Sequence, residues 1–227
     1  MNAAFNSALV ERRAVRQYTS QPVPETLVRE ILAEARWAPS ASNTQCTYAY
    51  VLSGEPLARF RADLQEWSAS DVPPAPDIEM GPVNAELYLA RRDALFGARA
   101  GFVATEAAKS SNPGDVPWSP MVAGPAIFGA PVFIVLAIGR DYPTGFGLFD
   151  TGLLAQSVAL AAHGRGLGTC IVASLIRYAE LVRRQIPGTE NKNFVIGIAL
   201  GYPDWDAPVN RFPRERLALE EWVTFVK

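Results

Sequence analysis

The chain has one histidine and two cysteines among 227 residues, and these scarcities exclude several kinds of chemistry. A zinc-type site needs several nitrogen or sulfur ligands at close spacing, and His163, Cys46 and Cys170 stand far apart. No metal is expected. Neither cysteine belongs to a CxxC pair, so no disulfide framework is predicted and a reducing, cytoplasmic compartment is expected. With one histidine and no G-x-S-x-G elbow, a nucleophilic triad is unsupported, and His163 reads as a structural residue of an apolar stretch. Lysine is also rare: Lys109, Lys192 and Lys227 stand against 18 arginines. The formal net charge of −2 gives no general attraction to nucleic acid or to an anionic membrane. No apolar run approaches the ~20 residues of a membrane span, and residues 1–12 lack the basic start and apolar run of a signal peptide.

What is present is an ordinary globular balance, 49% hydrophobic and 19% charged, enough for one core over residues 1–227. Residues 3–11 read as a first helix capped by Asn2. The spacing of Leu27, Val28, Ile31, Leu32 and Ala35 predicts a helix over 24–36, with Pro24 at its first turn. A strand is expected over 48–52, then a helix opened by Gly54-Glu55-Pro56 with Leu57, Phe60, Leu64 and Trp67 on its buried face. Four prolines between 68 and 82 predict a long loop or lid. Residues 83–109 read as one helix or two, with a break expected near Gly97 or Gly101. The run 132–138 is apolar throughout, as for a strand covered on both faces. A buried helix is predicted over 150–165, strands over 169–172 and 194–200, and a helix over 178–185. Gly164-Arg165-Gly166-Leu167-Gly168 follows a helix and precedes a strand, the reverse of a dinucleotide-binding turn, so a helix cap is the simpler account. The tail, 204–227, has little periodicity of its own.

Arginine is concentrated at Arg12-Arg13-Ala14-Val15-Arg16 and again at Arg214-Glu215-Arg216. Guanidinium groups this close repel one another, and a phosphate, which suits their planar forks, would relieve that; a solvated basic turn in an arginine-rich chain is the alternative reading of the stretch alone. Between them lie Pro22-Val23-Pro24, the small polar loop Ala38-Pro39-Ser40-Ala41-Ser42-Asn43-Thr44-Gln45, Gly166-Leu167-Gly168-Thr169-Cys170 and Ile198-Ala199-Leu200-Gly201-Tyr202-Pro203. Asn210-Arg211-Phe212-Pro213 leads into the second arginine group. In this order the pieces resemble the nitroreductase family of FMN-dependent oxidoreductases, over about residues 10 to 220.

The resemblance implies an α+β fold, with a mixed β-sheet surrounded by helices in an intertwined homodimer whose tail crosses onto the partner subunit. It implies FMN as cofactor, NAD(P)H as reductant and a small aromatic acceptor, with hydride carried by the flavin N5 and no catalytic side chain. Carried over by position, Arg12, Arg13, Ala14 and Arg16 match flavin-edge and phosphate contacts, and Arg214 and Arg216 match the tail's phosphate contacts. Pro39, Ser40, Ser42, Asn43 and Gln45 match the loop that lines FMN from the other subunit. Ile171, Val172, Ala173 and Ser174 match the backbone that passes the ring near N5. The variable stretch 68–125 is expected to cover the flavin, with Tyr88, Phe96, Phe102 and Trp118 as candidate stacking partners for the acceptor. Arg91 and Arg92 are candidates to meet an anionic substrate. Two departures stand out: Ala14 replaces a serine of many members, and Cys46-Thr47 replaces their Pro-Trp. Reductive dehalogenation on the same fold, or FMN and anion binding without turnover, are the alternative readings.

Overall fold

The computed structural model describes residues 8–81, 84–109, 119 and 123–226. Its centre is β2 (Val132–Gly139), in which every residue is buried. β1 (Thr47–Ser53) pairs with one edge of β2 and β4 (Lys192–Gly201) with the other. β3 (Gly168–Val172) closes the order β1-β2-β4-β3. Side chains of successive strand residues alternate between faces, so β2 feeds two cores at once. Phe133, Val135 and Ala137 pack with Leu57, Phe60 and Leu64 of α2 (Gly54–Ser68) and with Leu181 and Val182 of α5 (Ala179–Gln185). Val132, Ile134 and Leu136 pack with Val28, Ile31 and Ala35 of α1 (Glu25–Ala35) and with Ala155, Val158 and Ala162 of α4 (Thr144–His163). The result is helices on both faces of one sheet.

Every pairing between these four strands is antiparallel, whereas a mixed sheet was expected. Among the described residues, parallel pairing is limited to single bridges, Ala14 with Thr169 and Ala75 with Tyr178. A continuous apolar strand reports cover on both faces, and that cover leaves the direction of its neighbours open.

Two helices differ from their predicted bounds. α3 (Glu86–Ala107) is unbroken through Gly97 and Gly101. A glycine costs about 1 kcal/mol relative to alanine inside a helix, too little to stop one of this length. α4 begins at Thr144, six residues before Asp150, because Gly147 lets the helix approach β2: a Cβ there would lie 2.6 Å from Ile138 Cδ1. α4 is long and apolar enough to cross a membrane by length and composition alone. Its buried residues face the sheet and α1. At its C-terminus Gly166 is left-handed (φ +74°), Gly166 N donates to His163 O and Leu167 N to Ala162 O, both at 3.0 Å. That is a Schellman cap, as read from the glycines. Residues 8–11 are helical, and the rest of the first predicted helix lies outside the described residues.

The expected loop after α2 is irregular through residues 69–81 but is strapped down at Asp77. This carboxylate accepts from Arg183 Nη1 at 3.1 Å and from Arg183 Nη2 at 2.8 Å, and also from Phe194 N at 2.9 Å.

Candidate functional site

The N-terminal arginines are placed by one buried neighbour and one close backbone approach. Val15, 1% exposed, sits in the core while its N–H donates to Thr169 O at 2.9 Å. The segment can lie this near β3 because residue 168 is glycine; a Cβ there would meet Val15 Cγ2 at 2.5 Å. The Ala14–Thr169 bridge is parallel, so Arg16 is carried toward the Ile171 end of β3. Ile171, Val172 and Ala173 are half-buried and Ser174 is exposed beyond the strand's end.

The tail is tied to this segment across the whole chain. Arg13 Nη2 donates to Phe212 O, and Arg214 Nη1 donates to Arg12 O. Asn210, at the end of the short helix α6 (Pro208–Arg211), is fully buried and makes three bonds. Its Oδ1 accepts from Arg16 N at 2.8 Å, and its Nδ2 donates to Gln17 O and to Asp204 O, both at 2.7 Å. Tail and N-terminal stretch thus form one unit.

Arg12, Arg13, Arg16, Arg214 and Arg216 line a single cleft of about 210 Å³, together with Arg99. Arg99 comes from α3, is 8% exposed, and was not singled out in the sequence, where Arg91 and Arg92 drew attention instead. Those two are exposed. Among the described residues no carboxylate pairs with Arg12, Arg13, Arg214 or Arg216. Burial, and then Arg214, lower the affinity of the Arg12 and Arg13 guanidiniums for their protons; burial and Arg16 do the same to Arg99. Arg12 Nε and the hydroxyl of Thr169 are buried without a hydrogen-bond partner. Cations crowded and partly desolvated in this way are relieved by a multiply charged oxyanion, and the donor set fits a phosphate.

The 39–45 loop is built differently and stands elsewhere. Ser42, Asn43 and Gln45 are left-handed, at φ +50°, +56° and +50°. Such backbone is costly outside glycine and persists only when its surroundings hold it. Asp150, 3% exposed on α4, accepts from Ala41 N through both oxygens at 3.1 Å, Ser40 Oγ accepts from Gln45 N at 2.9 Å, and Thr44 Oγ1 lies 2.7 Å from Tyr142 OH. The side chains of Pro39, Ser42, Asn43 and Gln45 are exposed, and that of Ser40 is half-buried. Asp150→Ala is expected to lower stability by ~1–3 kcal/mol, through the orphaned Ala41 N–H, and to free the loop. Faster proteolysis between residues 40 and 45 would report that release; an unchanged cleavage rate would show that the loop holds itself.

The sheet register keeps this loop away from the arginines of its own chain. Ala14 is level with Ser53 across four strand spacings, and the loop precedes Thr47 at the other end of β1, so roughly 30 Å separates them.

Of the aromatic candidates, Tyr88 and Phe96 are exposed on α3, at 57% and 51%. Phe102 is half-buried and packs edge-on against Phe212 (5.7 Å between centroids), a core contact that leaves it little surface for an acceptor. Trp118 lies outside the described residues.

The sequence model of the nitroreductase family matches residues 9–202. The chain belongs to the nitroreductase family. It is 32% identical over 213 residues to a 4-nitrobenzoate reductase of Pseudomonas putida, covering 93% of this chain and 91% of that one. This nitroreductase-family chain also superimposes on the FMN-dependent nitroreductase NfnB of Mycobacterium smegmatis, solved with NADPH, at a TM-score of 0.83 and 29% identity, covering 99% of this chain and 98% of that one. The FMN- and NADPH-dependent NfnB of a Sphigopyxis strain gives 0.84 at 26% identity, over 98% and 99% of the two chains.

Proposed function

We propose that this nitroreductase-family chain is an FMN enzyme that takes hydride from NAD(P)H and passes it to a nitroaromatic, a quinone or a similar conjugated acceptor in alternating half-reactions. The observation that carries the reading is the convergence of Arg12, Arg13, Arg16, Arg214 and Arg216 on one cleft. The FMN named in the two solved NfnB structures, and the nitroaromatic acid named for the Pseudomonas relative, support it. The flavin ring, when bound, would supply the hydride chemistry at N5. The arginine forks would hold its phosphate, with Ala14 and Arg16 toward the ring edge, and the backbone of Ile171, Val172, Ala173 and Ser174 would line the ring. Tyr88 and Phe96 are left to stack on the acceptor, since Phe102 is engaged with Phe212.

The same reading makes the protein a homodimer with the flavin at the interface. Pro39, Ser40, Ser42, Asn43 and Gln45 reach an arginine cleft only from a second copy, given their separation within one chain. Trp222, Phe225 and Val226 in the tail are 69%, 75% and 92% exposed, and Phe146 and Phe149 leave α4 uncovered on one side. A second subunit covers such surface. Both cysteines are free and buried, as suits the cytoplasm.

The test is an acceptor screen with flavin-loaded protein, following NAD(P)H consumption. Consumption that depends on an added nitroaromatic or quinone is expected; a protein that stays colourless after incubation with FMN sinks the reading. Arg16→Ala and Arg216→Ala, made singly, are each expected to weaken FMN retention by ~1.5–3 kcal/mol, the scale of one charged hydrogen bond. Titration of apoprotein with FMN, followed by flavin fluorescence, measures it. Wild-type affinity in both would place the phosphate elsewhere.

A further inference from the structure

β3 turns its side chains alternately to the two cores, and Leu167 and Ile171 belong to the core built on α1 and α4. Thr169, two residues from each, therefore faces α4, and it is 2% exposed. There it borders a small space of about 10 Å³, walled also by His163 at the end of α4 and by Arg12 and Arg13. The same two arginines line the arginine cleft, so this space lies behind the cleft's N-terminal wall. Arg13 is steadied by its bond to Phe212 O. Arg12 Nε and Thr169 Oγ1 are both buried, and among the described residues neither bonds to the other or to any protein group.

Orphaned polar atoms of this kind are met by ordered water where the site is polar and has room. The space here is about what one water molecule needs. We propose that a single ordered water sits in it, accepting from Arg12 Nε–H and meeting the Thr169 hydroxyl, and so fixes the plane of the Arg12 guanidinium for the oxyanion. His163, half-buried on the same wall, is the water's third polar neighbour. The proposal rests on the phosphate reading of the cleft given above. A guanidinium held through Nε keeps both terminal nitrogens for the anion. One already fixed in its plane also loses less rotamer freedom on binding than one free to turn. Thr169 acts through the water and through Arg12, which makes it a positioning residue.

The experiment pairs a high-resolution crystal structure of the wild type with FMN titrations of apoprotein, followed by flavin fluorescence. Density for one water within hydrogen-bond distance of both Arg12 Nε and Thr169 Oγ1 is expected. Thr169→Val removes the hydroxyl at nearly constant shape and should weaken FMN binding roughly 3–10-fold, the scale of one hydrogen bond. Thr169→Ser should recover most of that loss. Arg12→Lys keeps the charge and puts a methylene where Nε stands, so in that background Thr169→Val should cause no further loss. A threonine that merely holds the fold would weaken both backgrounds equally, and that result overturns the proposal. So does a direct Arg12–Thr169 bond, a wild-type map without the water, or wild-type FMN affinity in Thr169→Val. In each of these cases the flavin reading stands as long as the wild type binds FMN. A wild type that binds no FMN ends both.

Discussion

Asp77→Ala is expected to lower stability by ~3–5 kcal/mol, because it strands a buried cation. Arg183 holds this carboxylate through both terminal nitrogens, at side-chain exposures of 17% and 10%, and Arg140 adds a weaker approach at 3.8 Å. Once Asp77 is gone, Arg183 keeps only Lys192 O at 2.9 Å and the face of Phe194, 4.8 Å from its ring centroid. Neither neutralises its charge. Phe194 N loses its acceptor as well. Asp77→Asn retains an acceptor for that N–H while removing the charge, and should fall between wild type and alanine. Urea unfolding at fixed protein concentration measures both, and a loss below about 1 kcal/mol in the alanine variant would place the pair among solvent-screened ion pairs. The structural consequence is local: residues 69–81 lose their strap to α5 and β4. Exchange in that segment should rise before any other part of the molecule responds.

Asn210→Ala is expected to lower stability by ~2–5 kcal/mol and to weaken FMN binding in the same protein. Arg16 N–H loses its Asn210 acceptor and Asp204 C=O its Asn210 donor, both in half-buried surroundings, each at ~1–3 kcal/mol. Gln17 C=O keeps the bond from Asp204 N at 3.1 Å and adds little. The flavin effect follows because Asn210 joins the two strands of chain that carry the cleft's arginines: Arg16 lies at one end of its bonds, and Arg214 and Arg216 follow it in the tail. Asn210 touches none of the cleft's guanidiniums through its own bonds, so it acts as a positioning residue. Asn210→Asp keeps the acceptor for Arg16 N–H and loses the two donated bonds; it should bind FMN better than alanine does while still unfolding early. Wild-type FMN affinity in Asn210→Ala would mean that the arginines are held without it.

The element pattern was largely legible because burial leaves a local signature. The apolar run that became β2, the one-sided helix α1 and the glycine cap after α4 each follow from neighbours a few residues apart. The bounds failed at Gly97 and Gly101 in α3, where glycine was read as a break, and at the start of α4, which takes in Gly147 ahead of the predicted Asp150. In the first case length outweighed propensity, and in the second the glycine served close packing against Ile138.

The candidate site divides in the same way. By itself the sequence determined which residue types suit an anion and where along the chain they lie: arginines at 12, 13 and 16, and again at 214 and 216. It also marked the small polar loop at 39–45 as separate from them. Only the tertiary structure decided that both arginine groups share one cleft, because bonds such as Arg214 to Arg12 O span 202 residues and no local spacing encodes them. It also selected Arg99 over Arg91 and Arg92, since the face of α3 that turns inward depends on how the helix packs against Val209 and Phe212. And it set the 39–45 loop at the far edge of the sheet from its own arginines. Register, which accumulates strand by strand, decides that distance.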